Sequence, residues 1–229
     1  MTTRPHVEVV LAMSADGRIA DAMRSSTRIG SSHDLSHLYR RLRGADAVLF
    51  GAETLRAVGY GMLIRDHDLV AERVRAQRAQ QPVQIVVSRS CKFPMSLPFF
   101  GEAGSSRWLL TPNQATQVAG GFDRLIRSAG RDGEIDWQAA LGTLAELGVR
   151  SLAVLGGGEV VSSLLHSGLV DDLRLTICPL LIGGVGAPTP MDGLPRPISE
   201  AVDLELVSAQ QVDAEVYLWY HVKAARSLP

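Results

Sequence analysis

Apolar residues in this chain fall in short continuous runs, and the stretches between the runs carry apolar positions three and four apart. The runs "VEVVLAM" (Val7–Met13), "ADAVLFG" (Ala45–Gly51), "VQIVVS" (Val83–Ser88), "RWLL" (Arg107–Leu110), "FDRLI" (Phe122–Ile126), "SLAVL" (Ser151–Leu155) and "LRLTICPLL" (Leu173–Leu181) predict strands. The most uniformly apolar of them suit strands covered on both faces. "SSHDLSHLYRRLRG" predicts a helix with Leu35, Leu38 and Leu42 on one side, Ser31 or Ser32 as its cap and Gly44 as its stop. "AETLRAV" opens a short helix, Asp66 to Gln80 reads as a charged, solvated helix or loop with no core of its own, and a further helix runs from about Gly158 to His166. "DWQAALGTLAELG" is amphipathic, with Trp137, Leu141, Leu144 and Leu147 on one side and Asp136 able to cap it. The ending "AVDLELVSAQQVDAEVYLWYHVK" predicts two long strands joined as a hairpin.

Strands alternating with helices predict an α/β fold: a mostly parallel sheet with helices on both faces and right-handed crossovers, edged by the C-terminal antiparallel hairpin. Trp219 and Tyr217 alternate with Leu218 and Tyr220, which puts one face of the last strand in the core and leaves the other open to a second subunit. The Pro-rich Ala187–Pro197 stretch reads as a long ordered loop inside one domain spanning residues 1–229.

The composition, 46% hydrophobic and 21% charged over 229 residues, suits one sizeable core. A net charge of -1 with no block of Lys or Arg gives no electrostatic reason to expect nucleic acid or a membrane surface, so a small molecule is the expected partner. Apolar runs such as Val7–Met13 and Leu175–Ile182 fall far short of the roughly 20 residues that span a bilayer. With no export pattern at the N-terminus, the expected location is the cytoplasm. Cys91 and Cys178 are isolated, which predicts two reduced thiols and neither a metal pair nor a disulfide. His33 and His37 have a zinc-compatible spacing, but without a third ligand they read as solvated helix residues, and no metal is expected.

Candidate chemistry gathers at predicted strand ends. Gly156, Gly157 and Gly158 join a strand directly to a helix, leaving helix N-terminal amides without a side chain in front of them. Such a turn either cradles a phosphate or makes a plain tight connection, and the triplet lacks both the G-x-G-x-x-G and the P-loop spacing. Gly51 repeats the arrangement with Thr54 in the first helical turn. Ser88 and Arg89 end a third strand with a hydroxyl and a guanidinium suited to a phosphomonoester, and "SADGRIA" follows the first. In an open α/β sheet, ligands collect beyond the carboxyl ends of the strands, so the four ends predict one cleft.

"AMSADGRIA", "ADAVLFGAETLRAVGY", "VVSRS" and "VLGGGEVVSSLLHSGLVDDLRLTICPLLIGG", in that order, resemble the reductase domain of bifunctional riboflavin-biosynthesis deaminase/reductases, which has the dihydrofolate reductase fold. The resemblance covers nearly the whole chain. It implies NADPH as cofactor, commonly a homodimer, and hydride transfer to C1′ of the ribosylamino group of a phosphorylated ribosylaminopyrimidine. The substrate would be 5-amino-6-(5-phosphoribosylamino)uracil or 2,5-diamino-6-ribosylamino-pyrimidinone 5′-phosphate. No deaminase zinc signature occurs in the sequence, so the resemblance is to a stand-alone reductase. By resemblance, Gly156, Gly157, Gly158, Glu159 and Val160 form the pyrophosphate turn, and Gly51 and Thr54 a second phosphate contact. Ser88 and Arg89 would select the 2′-phosphate, and Ala12 and Ile19 would lie beside the nicotinamide. Ser14 and Asp16 belong to an S-x-D-G motif at the junction of cofactor and substrate, and Asp16 is the candidate catalytic residue, orienting the substrate or relaying a proton.

The chain departs from that family where the family meets its substrate. Val10 stands where a lysine is usual, "AVGYGML" replaces a stretch near "D-D-P-R-L", and Leu155 replaces a glutamate. Arg18, Arg24, Arg28 or Arg65 would have to replace the missing lysine against a dianionic phosphate. These departures keep open a dihydrofolate reductase-like oxidoreductase with another substrate, and the lack of an obvious general acid keeps open an NADPH-binding module without turnover.

Overall fold

A computed structural model describes residues 4–114, 120–193 and 197–225. Positions 194–196 of the predicted Ala187–Pro197 loop lie outside them. Five α-helices and nine β-strands occur among the described residues, and contacts divide the chain into two compact units. The first contains Leu38–Ala153 with the chain up to His6; the second contains Val7–His37 and the chain from Val154 onward.

In the first unit, β2 (Ala47–Gly51), β3 (Val83–Val87), β4 (Arg107–Thr111), β5 (Arg124–Arg127) and β6 (Ser151–Val154) lie in the order β5-β4-β3-β2-β6. The pairs β2·β3, β3·β4 and β4·β5 are parallel, with Leu49 beside Ile85 and Ile85 beside Trp108. Every residue of β2 is buried, as its unbroken apolar run requires. Helices α2 (Ala52–Val58), α3 (His67–Arg75) and α4 (Trp137–Glu146) complete the unit. Asp136 caps α4 by accepting from the Ala139 amide, as expected, and Asp66 caps α3 through Asp68 and Leu69. Strand β5 starts two residues later than the sequence suggests. Asp123 is committed to Arg107, exchanging bonds through its backbone and carboxylate, while the Phe122 ring joins Phe93, Phe99 and Phe100.

The stretch from Asp66 to Gln80 is more than a solvated helix, because the Arg73 side chain is 2% exposed. Its guanidinium donates to the carbonyl oxygens of Leu42, Arg43 and Ala45 at 3.0, 2.9 and 2.6 Å and to Ala79 at 2.9 Å. These acceptors include the end of α1 (Ser32–Gly44), where carbonyls lack helical partners. Burial, and secondarily Arg78, brings the Arg73 pKa down to about 10, still charged at neutral pH. One cation thereby ties α3 to the chain that leads into β2.

In the second unit, β1 (His6–Ser14), β7 (Asp172–Cys178), β9 (Glu215–Ala225) and β8 (Val202–Val212) lie in the order β1-β7-β9-β8. The first pair is parallel and the other two antiparallel, so the predicted terminal hairpin is present. Strand β7 stops at Cys178 because Pro179 has no amide to donate. Tyr217 is buried while Leu218, Trp219 and Tyr220 are all half-buried, so this strand is not divided into one core face and one open face as the alternation predicts. Helix α5 (Gly158–His166) also belongs here, as does the first turn of α1, where Ser31 is the cap and accepts from the His33 and Asp34 amides. Glu215, 4% exposed, accepts from the Ser31 amide, the Ser31 hydroxyl and the Tyr217 hydroxyl, each at 2.7 Å. Burial acts to raise the Glu215 pKa, but these donors outweigh it and hold the carboxylate below its ordinary range.

Replacing Arg73 with Met leaves four carbonyls without their donor, three of them around the α1 to β2 connection. We expect R73M to lose roughly 2 to 5 kcal/mol of unfolding free energy, read from the urea midpoint. A loss below about 1 kcal/mol would show that water replaces the guanidinium.

Candidate functional site

The glycine turn has two separate reasons for its composition. Gly156 sits at φ +106°, a conformation that side chains rarely adopt. Gly158 has ordinary backbone angles, but a Cβ there would lie 2.4 Å from the Thr189 carbonyl oxygen and 2.8 Å from the Asp192 carboxylate. Gly158 is therefore small because the Thr189–Asp192 turn crosses the start of α5. That turn is self-supported, with the Asp192 carboxylate accepting from the Thr189 amide and hydroxyl. Gly157 caps α5 with no side chain, unlike Asp66 and Asp136 at α3 and α4. Glu159 and Val160 follow in the first turn, and Leu155 precedes the glycines half-buried.

The loop after β1 is laced to the loop after β7. Asp16 Oδ1 accepts from the Ser14 hydroxyl at 2.6 Å and the Ile182 amide at 3.1 Å, and Oδ2 accepts from the Gly183 amide at 2.7 Å. The Ala15 amide donates to Leu180, the Ile19 amide to Pro188 and the Arg18 guanidinium to Ala187. The buried Ser14 hydroxyl also accepts from the Arg18 amide. The Ser14 hydroxyl first, then the Ile182 and Gly183 amides, lower the Asp16 pKa to about 2. An exposed carboxylate so engaged stays charged at neutral pH. Its geometry is that of a clamp between loops, not of a proton relay. Ala12 lies on β1 directly beside Thr176 of β7.

The remaining predicted residues lie in the first unit. Gly51 ends β2 and caps α2, again without a side chain, and Thr54 is half-buried in the first turn. Ser88 is buried at the end of β3, where its hydroxyl accepts from the Cys91 amide and closes a turn. Arg89 is exposed, and its guanidinium donates to Glu134 at 2.9 Å.

Three comparisons bear on what these parts compose. The family model of the RibD C-terminal domain matches residues 5–218. The chain belongs to that family. A relative from Archaeoglobus fulgidus, the 2,5-diamino-6-ribosylamino-4(3H)-pyrimidinone 5′-phosphate reductase, is 29% identical over 198 residues, which cover 83% of this chain and 87% of the relative. Among solved structures, a pyrimidine reductase-like protein from Corynebacterium diphtheriae superposes with a TM-score of 0.76 at 22% identity, covering 96% of this chain and 92% of its own. The dihydrofolate reductase of Enterococcus faecalis, complexed with NADP(H) and RAB-propyl, superposes at 0.51 with 15% identity over 95% of this chain and 96% of its own, a likeness of fold.

Within this RibD C-terminal domain, the departures noted in the sequence acquire structural settings. Val10 pairs in register with Arg174, so the two side chains share a face of the sheet. Arg174 already supplies a cation there, donating to Glu8 at 2.8 Å and lying 3.7 Å over the Trp219 ring. The "AVGYGML" stretch is held through its backbone: Glu102 accepts from the Gly61 amide and Gln84 from the Met62 amide. Of the four arginines proposed as replacements, Arg65 pairs with Glu102, Arg28 with Asp34 and Arg18 reaches a carbonyl, while Arg24 is exposed at φ +53°. His33 contacts Asp213 and His37 lies 4.9 Å from the Tyr217 ring, so the two histidines face different partners. Among the described residues no group of three or more His, Cys, Asp or Glu could hold a metal, and no helix is long and apolar enough to cross a membrane.

Sequence reasoning missed the buried acidic groups of the second unit, Asp34, Asp172 and Glu215. Asp34 is 6% exposed and pairs with Arg28; burial raises its pKa, and the neighbouring Thr176 hydroxyl acts against that. In the sequence it is an ordinary acidic residue of a helix first turn, and only the β1·β7 register shows what it adjoins.

If Asp16 is the clamp, its acid titration loosens the two loops. The folded value of about 2 lies below the ordinary 3.8, so the clamp's contribution is present above about pH 4 and fades toward pH 2. The Gly183 amide resonance should titrate over that window in the wild type and be pH-independent in D16N. A flat wild-type response would remove the clamp.

Proposed function

We propose that this chain is an NADPH-dependent reductase acting on 2,5-diamino-6-ribosylamino-4(3H)-pyrimidinone 5′-phosphate, with hydride delivered to C1′ of the ribosylamino group. One observation carries this reading: the family match spans residues 5–218, and the Archaeoglobus fulgidus relative that bears the name of this activity is covered over 87% of its length. We take residues 1–229 to work as a single reductase domain in the cytoplasm, paired with a second copy.

Each unit has one helix start that no side chain caps, α5 at Gly157 in the second and α2 at Gly51 in the first. Backbone amides at such ends favour anions. In this assignment Gly156, Gly157 and Gly158, with Glu159 and Val160 in the first turn of α5, hold the diphosphate, and Gly51 with Thr54 adds a phosphate contact. Ser88 and Arg89 take the 2′-phosphate, Arg89 by exchanging its Glu134 partner for the stronger dianion. Ala12 and Ile19 border the nicotinamide through their backbone. When bound, the cofactor supplies the hydride. The protein's own contribution is position: Asp16 holds the loops after β1 and β7 together through Ser14, Ile182 and Gly183, and so fixes the strand ends against which the substrate would lie. Ser14 and Leu155 are assigned to the substrate side.

The Val10 and Leu155 departures favour a second reading, an oxidoreductase of the same fold with another substrate. NADPH oxidation measured with the ribosylaminopyrimidine phosphate, with its uracil counterpart and with dihydrofolate separates the two. Turnover with the ribosylaminopyrimidine phosphate supports the proposal, turnover with the uracil counterpart alone moves the substrate to that ring, and turnover with dihydrofolate alone replaces it. R89A should lower the preference for NADPH over NADH by about 10-fold or more, and an unchanged preference would remove Arg89 from the 2′-phosphate site. Sedimentation at micromolar concentration tests the dimer.

A further inference from the structure

We infer that the apolar face of β7, β9 and β8, which carries Leu175, Leu218, Tyr220, Leu204 and Leu206, is where a second copy of this chain docks, face to face about a two-fold axis. The inference rests on the pairing with a second copy proposed above and names the surface that makes it. Its geometry lies wholly within the second unit.

Side chains alternate between the two faces of a strand, and residues in register on neighbouring strands share a face. Leu175 stands opposite Leu218, and Leu218 opposite Ala209; Tyr220 stands opposite Leu206, and Val222 opposite Leu204. From Leu204 to Gln211 of β8 and from Val216 to Val222 of β9, no side chain on this face is buried and none is charged. Leu204 is 41% exposed and Leu206 55%. The opposite face is polar and better covered, with Asp172, Thr176, Glu215 and Tyr217 buried on it. A single copy therefore turns an apolar face toward water while it buries polar groups behind it, the reverse of what the hydrophobic effect favours. A contiguous open apolar face of this kind marks a contact surface.

Size and charge select a second copy as the occupant. Strands β8 and β9 have 11 residues each. At ~3.4 Å per residue and ~4.8 Å between strands, they and β7 present a plane of roughly 500 Å2. Two copies together then bring about 1,000 Å2 into contact, the size that a specific interface needs. A face without charge gives an oppositely charged partner nothing to recognise, whereas an identical face matches it and leaves no charge buried unpaired. A membrane surface fits poorly, because the Asp, Glu, Lys and Arg residues of β8 and β9 are Asp203, Glu205, Glu215 and Lys223, an acidic set that anionic headgroups repel. The edge of the sheet is the weaker place to dock. β8 is the edge strand, but its register shifts between Val202 and Leu204 and between Leu206 and Ser208 mark bulges, which turn an edge away from strand addition.

Sedimentation of the full chain over a range of concentrations tests the surface. The wild type should be a dimer at micromolar concentration. L206E places one charge from each copy into the contact at an exposed position, and should raise the dimer dissociation constant about 100-fold or more. S208E, whose register partner Trp219 lies on the opposite face, should leave that constant unchanged. L204E should repeat L206E, and it decides the matter if L206E fails to fold. A dimer left intact by L206E and L204E overturns the surface while the pairing stands, and so does a dimer that S208E weakens as much as L206E. A monomeric wild type, whether free or carried by phosphatidylglycerol vesicles, overturns the pairing and the surface together. NADPH oxidation by the same samples reports on the proposed reaction separately.

Discussion

Strands covered on both faces leave a protein few places for polar chemistry, and in this chain they are the strand ends and the segments that follow them. β2 is buried at every position, and β3 at all but its first residue. Polar groups inside such strands would have to be satisfied sideways at a desolvation cost. At the carboxyl ends the constraint lifts, and the residues found there are Ser14, Gly51, Ser88, Thr111 and the glycine turn. The candidate functional residues are thus where the apolar runs stop. Their precision depends on how those stops are fastened, which at β1 and β7 is the task of the Asp16 carboxylate.

Charged side chains serve elsewhere as hubs for backbone. Arg73 collects carbonyls from four residues, and Glu215 gathers one amide and two hydroxyls. Asp46 does the same at the start of β2, accepting from the Arg150 and Ser151 amides and from Arg78. Each joins segments far apart in sequence, which loop-closure entropy would otherwise keep apart. Each is stabilising only while complete, because a buried carbonyl or carboxylate without its partner costs more than the bond returns.

Elements set by local pattern were readable in the sequence: the buried runs, the Asp136 cap, the α5 span after the glycines and the terminal hairpin all occur where expected. What could not be read depends on long-range partners. Arg73 belongs to a charged stretch with nothing local to mark it, and its acceptors lie up to 31 positions away. The five phenylalanines, Phe50, Phe93, Phe99, Phe100 and Phe122, show no period, yet their rings touch in a chain. Gly158 looked like part of a phosphate cradle, and only the Thr189–Asp192 crossing supplies the other reason for a missing side chain. The candidate site was legible as a set of strand ends. The identity of the groups that already fill those ends was not.

The face shared by β1 and β7 shows how a family position can change without leaving a gap. Val10, 8% exposed, sits beside Arg174, whose guanidinium is committed to Glu8 and to the Trp219 ring. A lysine at position 10 would place a second cation beside the first, with Glu8 already used. The next pair along the same face is Ala12 with Thr176, and the one beyond is Ser14 with Cys178. Burial, and then the charges of Asp34 and Glu215, raise the Cys178 thiol to about 12, so it remains neutral and adds no charge. Going up this face, the polar groups are a satisfied ion pair, then the Thr176 hydroxyl, then the Ser14 hydroxyl beside a neutral thiol. Arg174 is therefore too committed to grip a phosphate.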